Sequence, residues 1–313
     1  MPLDLSLVVP VLNEAESVDI FVEQVLRVFQ PSQAAVRLEF VFVNDGSTDG
    51  TLDRLIDLQG RHERVRIVDL SRNFGKEAAL TAGILTAQGQ VVVPIDVDLQ
   101  DPPEVILEML EHWRRGSEVV LGHRINRDTD SWAKRRSAAL FYALHNKIAA
   151  PALPDNVGDF RLMDRCVVEA LRQLPEANRF MKGLFAWLGF RTSYVHYVRP
   201  ERAAGVTKFS GWKLWNFAME GITSFSTAPL RVWTYVGLMV AMLSVLYALF
   251  IFLRVLIYGV DVPGYASMMV AITFFSGVQL MGIGVIGEYL GRTYIESKRR
   301  PVYVVRRVYG AKD

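Results

Sequence analysis

Two runs without a charged residue, Val232 to Leu253 and Ala266 to Gly287, constrain this chain more than any other feature. Each would measure roughly 33 Å as a helix, enough to cross the ~30 Å hydrocarbon core of a bilayer. Backbone polar groups in lipid must be satisfied within the segment, so two membrane helices are expected. The turn between them, Tyr258 to Gly264, has no lysine or arginine. Arg231 precedes the first run, and Arg292, Lys298, Arg299 and Arg300 follow the second. That asymmetry puts both flanks on the cytoplasmic side, with Arg254 snorkelling outward from the first helix.

Gly282-Ile283-Gly284-Val285-Ile286-Gly287 matches the dinucleotide-binding fingerprint, but it lies inside an apolar run and follows no strand. Gly277, Gly284 and Gly291 recur every seven residues and share one helix face, which predicts close helix packing within one hairpin or between copies. Ahead of the first run, Trp212, Trp215, Met219 and Ile222 predict an amphipathic helix at a lipid headgroup boundary. The expected organisation is a domain over 1–211, an interfacial helix over 212–230, a two-helix hairpin over 231–290 and a basic cytoplasmic tail over 291–313.

The first two-thirds of the chain alternates strand and helix patterns. Leu5 to Val9, Leu38 to Val43, Val65 to Leu70 and Val91 to Ile95 are short apolar runs, each followed by a turn. Helical periodicity follows over Glu14 to Phe29, Leu52 to Leu58 and Lys76 to Ala87, and again from Glu104 to Arg114. Further strands are expected over Glu118 to Gly122 and, at a sheet edge, Arg191 to Val198. A basic helix is expected over Trp132 to Ala149. This alternation predicts an open, mainly parallel α/β sheet with ligands outside the carboxyl ends of its strands. Pro10 to Glu14, Asn44 to Asp49, Ser71 to Lys76 and Asp96 to Gln100 all fall there.

The fourth strand runs straight into Asp96-Val97-Asp98-Leu99-Gln100. If strand geometry persists, Asp96, Asp98 and Gln100 share one face, and three oxygen donors suit magnesium or manganese rather than zinc. A solvated acidic turn before a helix is the alternative. Cys166 is the only cysteine, which excludes an internal disulfide and a thiolate zinc site. A formal charge of +2, from 35 basic and 33 acidic residues, gives no nucleic-acid signature. There is no Walker lysine motif, and Met1-Pro2-Leu3-Asp4 gives no reason to expect a cleaved leader. A metal with several converging cations implies a phosphorylated ligand, and a diphosphate-linked donor fits.

Pro10-Val11-Leu12-Asn13-Glu14, Asn44-Asp45-Gly46-Ser47, Arg72-Asn73-Phe74-Gly75-Lys76, Asp96-Val97-Asp98-Leu99-Gln100-Asp101 and Gly158-Asp159-Phe160-Arg161-Leu162 together resemble family 2 glycosyltransferases of the polyprenyl-phosphate branch. Phe180-Met181-Lys182-Gly183, Gly211 to Asn216, Ile222 to Thr227 and Gly287 to Tyr294 resemble, within that branch, bactoprenol glucosyltransferases of O-antigen glucosylation systems. The resemblance implies a GT-A fold, a Rossmann-like and mainly parallel sheet, as a cytoplasmic domain. An interfacial helix and two transmembrane helices would follow it in a bacterial inner membrane. It also implies Mg2+ or Mn2+, a nucleotide-sugar donor (UDP-glucose), undecaprenyl phosphate as acceptor, and a homotetramer among membrane lipids.

By the same resemblance Pro10, Val11, Glu14 and Asp45 would hold the nucleoside, with Lys76 near the nucleotide. Asp98 and Gln100 would ligate the metal, with Asp96 on the donor ribose or a metal-bound water. Arg124, Arg161, Arg202 and Lys208 would receive the lipid phosphate; a basic loop on anionic headgroups is the alternative for the last two. Asp159 would be the base or the acceptor organiser, making Asp159, Asp98 and Arg161 the catalytic set. Transfer of mannose or a modified arabinose remains an alternative. A processive polysaccharide synthase is disfavoured by only two spans and no Arg-Trp pair, and a non-catalytic membrane scaffold by the acidic triplet.

Overall fold

The computed structural model describes residues 3–30, 36–125, 157–198 apart from 175, 177, 178 and 180, then 228–258 and 264–310. The expected helix over 132–149, the basic loop with Arg202 and Lys208, and 212–227 of the expected interfacial helix lie outside these residues; 228–230 belong to the long helix that continues into the first apolar run.

Strands and helices alternate as β1 (Leu3–Val11), α1 (Ser17–Phe29), β2 (Val36–Asn44), α2 (Thr51–Arg61), β3 (Val65–Leu70), α3 (Lys76–Thr86), β4 (Val91–Pro94), α4 (Val105–Arg114) and β5 (Val119–Arg124). There follow β6 (Val157–Asp164), α5 (Arg165–Arg172), α6 (Met181–Leu188), β7 (Thr192–Tyr197), α7 (Ala228–Tyr258), α8 (Tyr265–Ser297) and β8 (Val305–Tyr309). One sheet holds all eight strands, in the order β7-β5-β6-β4-β1-β2-β3-β8.

Both sheet faces are buried, which is why the strands read as near-continuous apolar runs. Leu5, Leu7, Val9, Phe40 and Phe42 face α1, α2 and α4, where Phe21 meets Phe40 and Phe42 edge-on. Val8, Val41 and Val43 face α3, α5 and α6. On that side α3 is pressed against the sheet at Gly83, where a Cβ would come within 2.3 Å of Val8 Cγ1. This close approach seats the later turns of α3 directly on β1.

β1, β2, β3, β4, β5 and β7 run one way; β6 and β8 are antiparallel to their neighbours. The amino ends of β6 and β8 therefore lie at the same sheet edge as the carboxyl ends of the others. That direction brings Asp159 to the ligand edge. It also returns the chain beyond the hairpin to the sheet: residues expected as a basic tail contain β8, paired with β3. The β7 edge strand is where the sequence places it.

Among the described residues, one segment is long and apolar enough to cross a membrane, Val270–Ser297 in α8; the apolar stretch of α7, Val232–Tyr247, is shorter than that, so of the two expected spans one is found at that length. The seven-spaced glycines of α8 do not meet α7: Cβ atoms at Gly277, Gly284 and Gly291 would find nothing within 4 Å. The helices approach instead at Gly282, where a Cβ would lie 1.6 Å from Trp233 Nε1.

Candidate active site

A cavity of about 250 Å3 opens at the carboxyl ends of β1, β2 and β4, lined by Pro10, Val11, Leu12, Glu14, Asp45, Lys76, Ala79, Asp96, Val97 and Asp98. The six residues expected on the nucleotide sugar are all in this lining. Backbone geometry joins the first two loops: Asn13 sits at φ 57, its amide donates to Ser47 Oγ, and its Oδ1 accepts from the Thr48 amide. Asparagine tolerates that left-handed conformation. Glu14 is fixed by its amide, which donates to Thr51 Oγ1, and by Ser17 Oγ, which donates 2.7 Å to its carboxylate.

Asp45 is buried and takes part in the third loop as well. Its Oδ1 accepts from the Phe74 amide at 2.7 Å and its Oδ2 from the Gly75 amide at 2.9 Å. Gly75, at φ 96, then turns the chain into α3, whose first residue is Lys76. The Lys76 ammonium lies 2.8 Å from an Asp96 oxygen and 3.1 Å from Asp159 Oδ2. Burial would lower its pKa, but the two carboxylates outweigh it and raise it above the ordinary 10.5. Lys76 thus joins this cavity to the Asp159 motif.

The acidic stretch departs from the expected geometry. β4 ends at Pro94, and Leu99 takes φ 55. Asp98 Oδ1 accepts the Gln100 amide at 3.1 Å, a local turn that reverses the chain. Asp96 and Asp98 stay on the pocket while Gln100 turns inward; it is 4% exposed and its side-chain nitrogen has no hydrogen-bond partner among the described residues. The alternation of a strand does not reach Gln100, so its placement does not fit the expected third metal ligand.

No group of three or more His, Cys, Asp or Glu suited to a metal occurs among the described residues. The Asp96 and Asp98 carboxylates at the cavity mouth nevertheless fit magnesium or manganese, which are commonly held by one or two carboxylates with substrate phosphates completing the shell.

Arg124 and Arg161, both expected on the acceptor phosphate, separate in the structure. Arg161 is 3% exposed: its guanidinium lies 4.1 Å over the Phe185 ring, Nη2 donates to Gly158 O at 2.7 Å and Nε to Asp159 O. Burial pulls its pKa down to about 10, against Asp159 and Glu77. It therefore holds the Gly158-Asp159 backbone from inside, and the expected phosphate contact does not fit its burial. Arg124 is half-buried and lies beside Gly158, next to Asp159. Its Nε donates to Tyr197 Oη at 3.0 Å, Tyr197 Oη donates to Asp101 Oδ1 at 2.5 Å, and Arg124 Nη2 is 3.6 Å from the same oxygen. A Cβ on Gly158 would meet Arg124 Nη2 at 2.7 Å, so that glycine leaves room for the guanidinium. Tyr197 and Asp101 carried no assigned role in the sequence; the only signal was Asp101 closing the acidic motif.

The family model "Glycosyl transferase family 2" matches residues 6–172, the stretch that builds this cavity, and "GtrB C-terminal hairpin" matches residues 228–293. A bactoprenol glucosyl transferase of Shigella phage SfV is 54% identical over 302 residues, covering 96% of this chain and 98% of that protein. An uncharacterized glycosyltransferase of Synechocystis sp. is 51% identical over 310 residues, covering 99% and 97%. Glucosyl-3-phosphoglycerate synthase from Mycobacterium tuberculosis, solved with Mn2+, UDP and phosphoglyceric acid, is a looser likeness: TM-score 0.49, 23% identity, 71% of this chain and 76% of that one. With a family match through every pocket loop and relatives alike from end to end, the chain belongs to glycosyl transferase family 2.

Proposed function

We propose that this glycosyltransferase moves glucose from UDP-glucose onto undecaprenyl phosphate at the cytoplasmic face of a bacterial inner membrane. The observation that carries the reading is the 54% identity over 302 residues to a bactoprenol glucosyl transferase, which takes in both the pocket and the hairpin.

The chain's own residues supply the chemistry. Pro10, Val11, Glu14 and Asp45 receive the nucleoside, and Asp96 and Asp98 present carboxylates where a diphosphate would lie. A bound Mg2+ or Mn2+ offsets the charge that departs with the nucleoside diphosphate. Lys76 adds a fixed positive charge between the donor and acceptor sides. The acceptor phosphate, with a second pKa near about 6, arrives largely dianionic and needs little deprotonation. Its oxygen bonds to the anomeric carbon as the bond from that carbon to UDP breaks, inverting the configuration. Arg124, braced by Tyr197 and Asp101, receives the phosphate. Asp159, ion-paired to Lys76, orients the acceptor.

Topology supports two membrane crossings. The chain leaves the sheet after β7 and rejoins it at β8, which supports an even number of crossings in the intervening segment.

The test is transfer by detergent-solubilised protein supplied with undecaprenyl phosphate and a panel of labelled nucleotide sugars. A single lipid-linked hexose formed from UDP-glucose is expected. Product only from another donor would sink the glucose assignment, polymer would point to a processive synthase, and no product would remove the enzymatic reading of the acceptor.

A further inference from the structure

The strand beyond the membrane hairpin touches, chiefly through one side chain, the residues that support the loops of the donor pocket. β8 pairs with β3 in a register that shifts between Asp69 and Leu70: Asp69 is opposite Arg307 and Leu70 opposite Val305, leaving Arg306 as the extra residue of a bulge. Bulges re-aim side chains. Here the Arg306 guanidinium crosses the end of β3, with Nη1 3.6 Å from Asp69 Oδ2 and Nη2 donating 2.7 Å to Ser71 O.

Asp69 is 1% exposed. Its Oδ1 accepts from Asn44 Nδ2 at 2.7 Å, while its Oδ2 has no hydrogen bond among the described residues beyond the Arg306 ion pair. A buried carboxylate needs a compensating cation, and this one comes from the far side of the hairpin. Asn44 in turn accepts the Ser47 amide with Oδ1 and immediately precedes Asp45. Ser71, whose amide donates to Val304 O, opens the loop whose Phe74 and Gly75 amides bind Asp45. The two loops touch backbone to backbone: a Cβ on Gly46 would lie 2.4 Å from Asn73 N. Arg306 therefore holds one of these loops directly at the Ser71 carbonyl and reaches the other through Asp69 and Asn44, and the two loops together fix Asp45 and the start of α3, where Lys76 stands.

We propose that Arg306 is a positioning residue for donor binding, acting through Asp69 and the Ser71 carbonyl, so that the donor pocket is completed by the strand that follows the membrane hairpin. The proposal rests on the reading of the Pro10-Asp45-Asp98 cavity as the nucleotide-sugar site.

Full-length protein in detergent, titrated with UDP in the presence of Mn2+ by calorimetry and assayed for both KM values, tests it. Arg306→Ala should weaken UDP binding and raise the donor KM on the order of tenfold, the usual scale when a group that orients a ligand-holding residue is removed. The KM for undecaprenyl phosphate should stay put, Arg306→Lys should recover part of the loss, and Arg307→Ala should match the native protein. Asp69→Asn removes the buried charge, so adding Arg306→Ala to it should cost far less than Arg306→Ala alone. If Arg306→Ala by itself fails to fold, the milder Arg306→Lys, measured in the native and Asp69→Asn backgrounds, reads the same coupling. Native-like UDP affinity in Arg306→Ala, or full additivity with Asp69→Asn, overturns the proposal alone. A native protein that binds no UDP overturns the pocket reading and the proposal with it.

Discussion

The Lys76 ammonium stands 2.8 Å from an Asp96 oxygen, and the same nitrogen is 3.1 Å from Asp159, so one cation joins the end of β4 to the start of β6. Replacing it with methionine leaves two carboxylates facing each other without a counter-charge. Lys76→Met should lower kcat/KM by about 100-fold or more, as loss of a fixed charge at a reacting phosphate does. Its pH behaviour has a definite sign. A lysine whose folded pKa is raised contributes its stability in full below its ordinary 10.5 and loses it only as pH climbs through the folded value. The difference in unfolding free energy between native and Lys76→Met protein should therefore be flat from about pH 6 to 9 and shrink above about 10.5. A difference that changes across neutral pH in urea titrations would contradict the pairing.

Asp98 is exposed, and the one hydrogen bond described for its side chain goes to the Gln100 amide at 3.1 Å. It contributes little to the fold and sits where a metal–diphosphate complex would lie. Asp98→Ala should lose transfer by at least about 100-fold while its melting temperature moves by no more than about 2 °C, the range of an exposed substitution. Manganese titrated by electron paramagnetic resonance in the presence of UDP should bind more weakly to this variant. Native-like manganese affinity would remove Asp98 from the metal site whatever happens to activity.

How far the sequence reaches follows from where local rules stop. Runs such as Val65 to Leu70 and Val91 to Val93 are buried on both faces, so composition alone marks them as strands of a covered parallel sheet, and the carboxyl-end rule then gathers Pro10, Glu14, Asp45, Lys76 and Asp96. The rule of alternation fails at Gln100 because the strand ends at Pro94 and Leu99 takes a left-handed turn, a tertiary choice with no local signature. Arg161 reads as a motif cation, yet its alternation with Phe160 and Leu162 put it on a buried face, over Phe185. β8 was hidden by its own arginines: charges on an edge strand look like a solvated tail, although they also protect the edge from unwanted pairing. The Asp69–Arg306 pair joins positions far apart in sequence, beyond the reach of any local pattern.

Gly158 separates the two substrates experimentally. A Cβ there would meet Arg124 Nη2 at 2.7 Å, and the far end of a flexible side chain can yield without unfolding the domain. Gly158→Ala should therefore fold normally while displacing Arg124 from Tyr197 and Asp101. The KM for undecaprenyl phosphate should rise by about tenfold, the equivalent of one weakened charge-assisted contact of roughly 1.4 kcal/mol. The donor KM should remain within twofold of native, about the resolution of the assay. A rise in donor KM with the acceptor KM unchanged would place Arg124 on the other substrate.

The hairpin offers a contrast between glycines on the same helix. At Gly282 an added methyl would overlap the Trp233 indole, its Cβ 1.6 Å from Nε1, whereas at Gly284 it would meet nothing within 4 Å. Small residues let membrane helices approach closely, so α7 and α8 pack where Gly282 receives the tryptophan. Gly282→Ala should force the helices apart at an overpacking cost of about 1–3 kcal/mol and lower the melting temperature of the detergent-solubilised protein. Trp233→Ala in the Gly282→Ala background should recover most of that loss, because the clash then has no second partner. Gly284→Ala should melt like the native protein if its face is free. A Gly284→Ala protein that falls as far as Gly282→Ala would mean that the seven-spaced face is itself packed, against a second copy of this chain, and cross-linking through cysteines at 277 and 284 would then trap that contact.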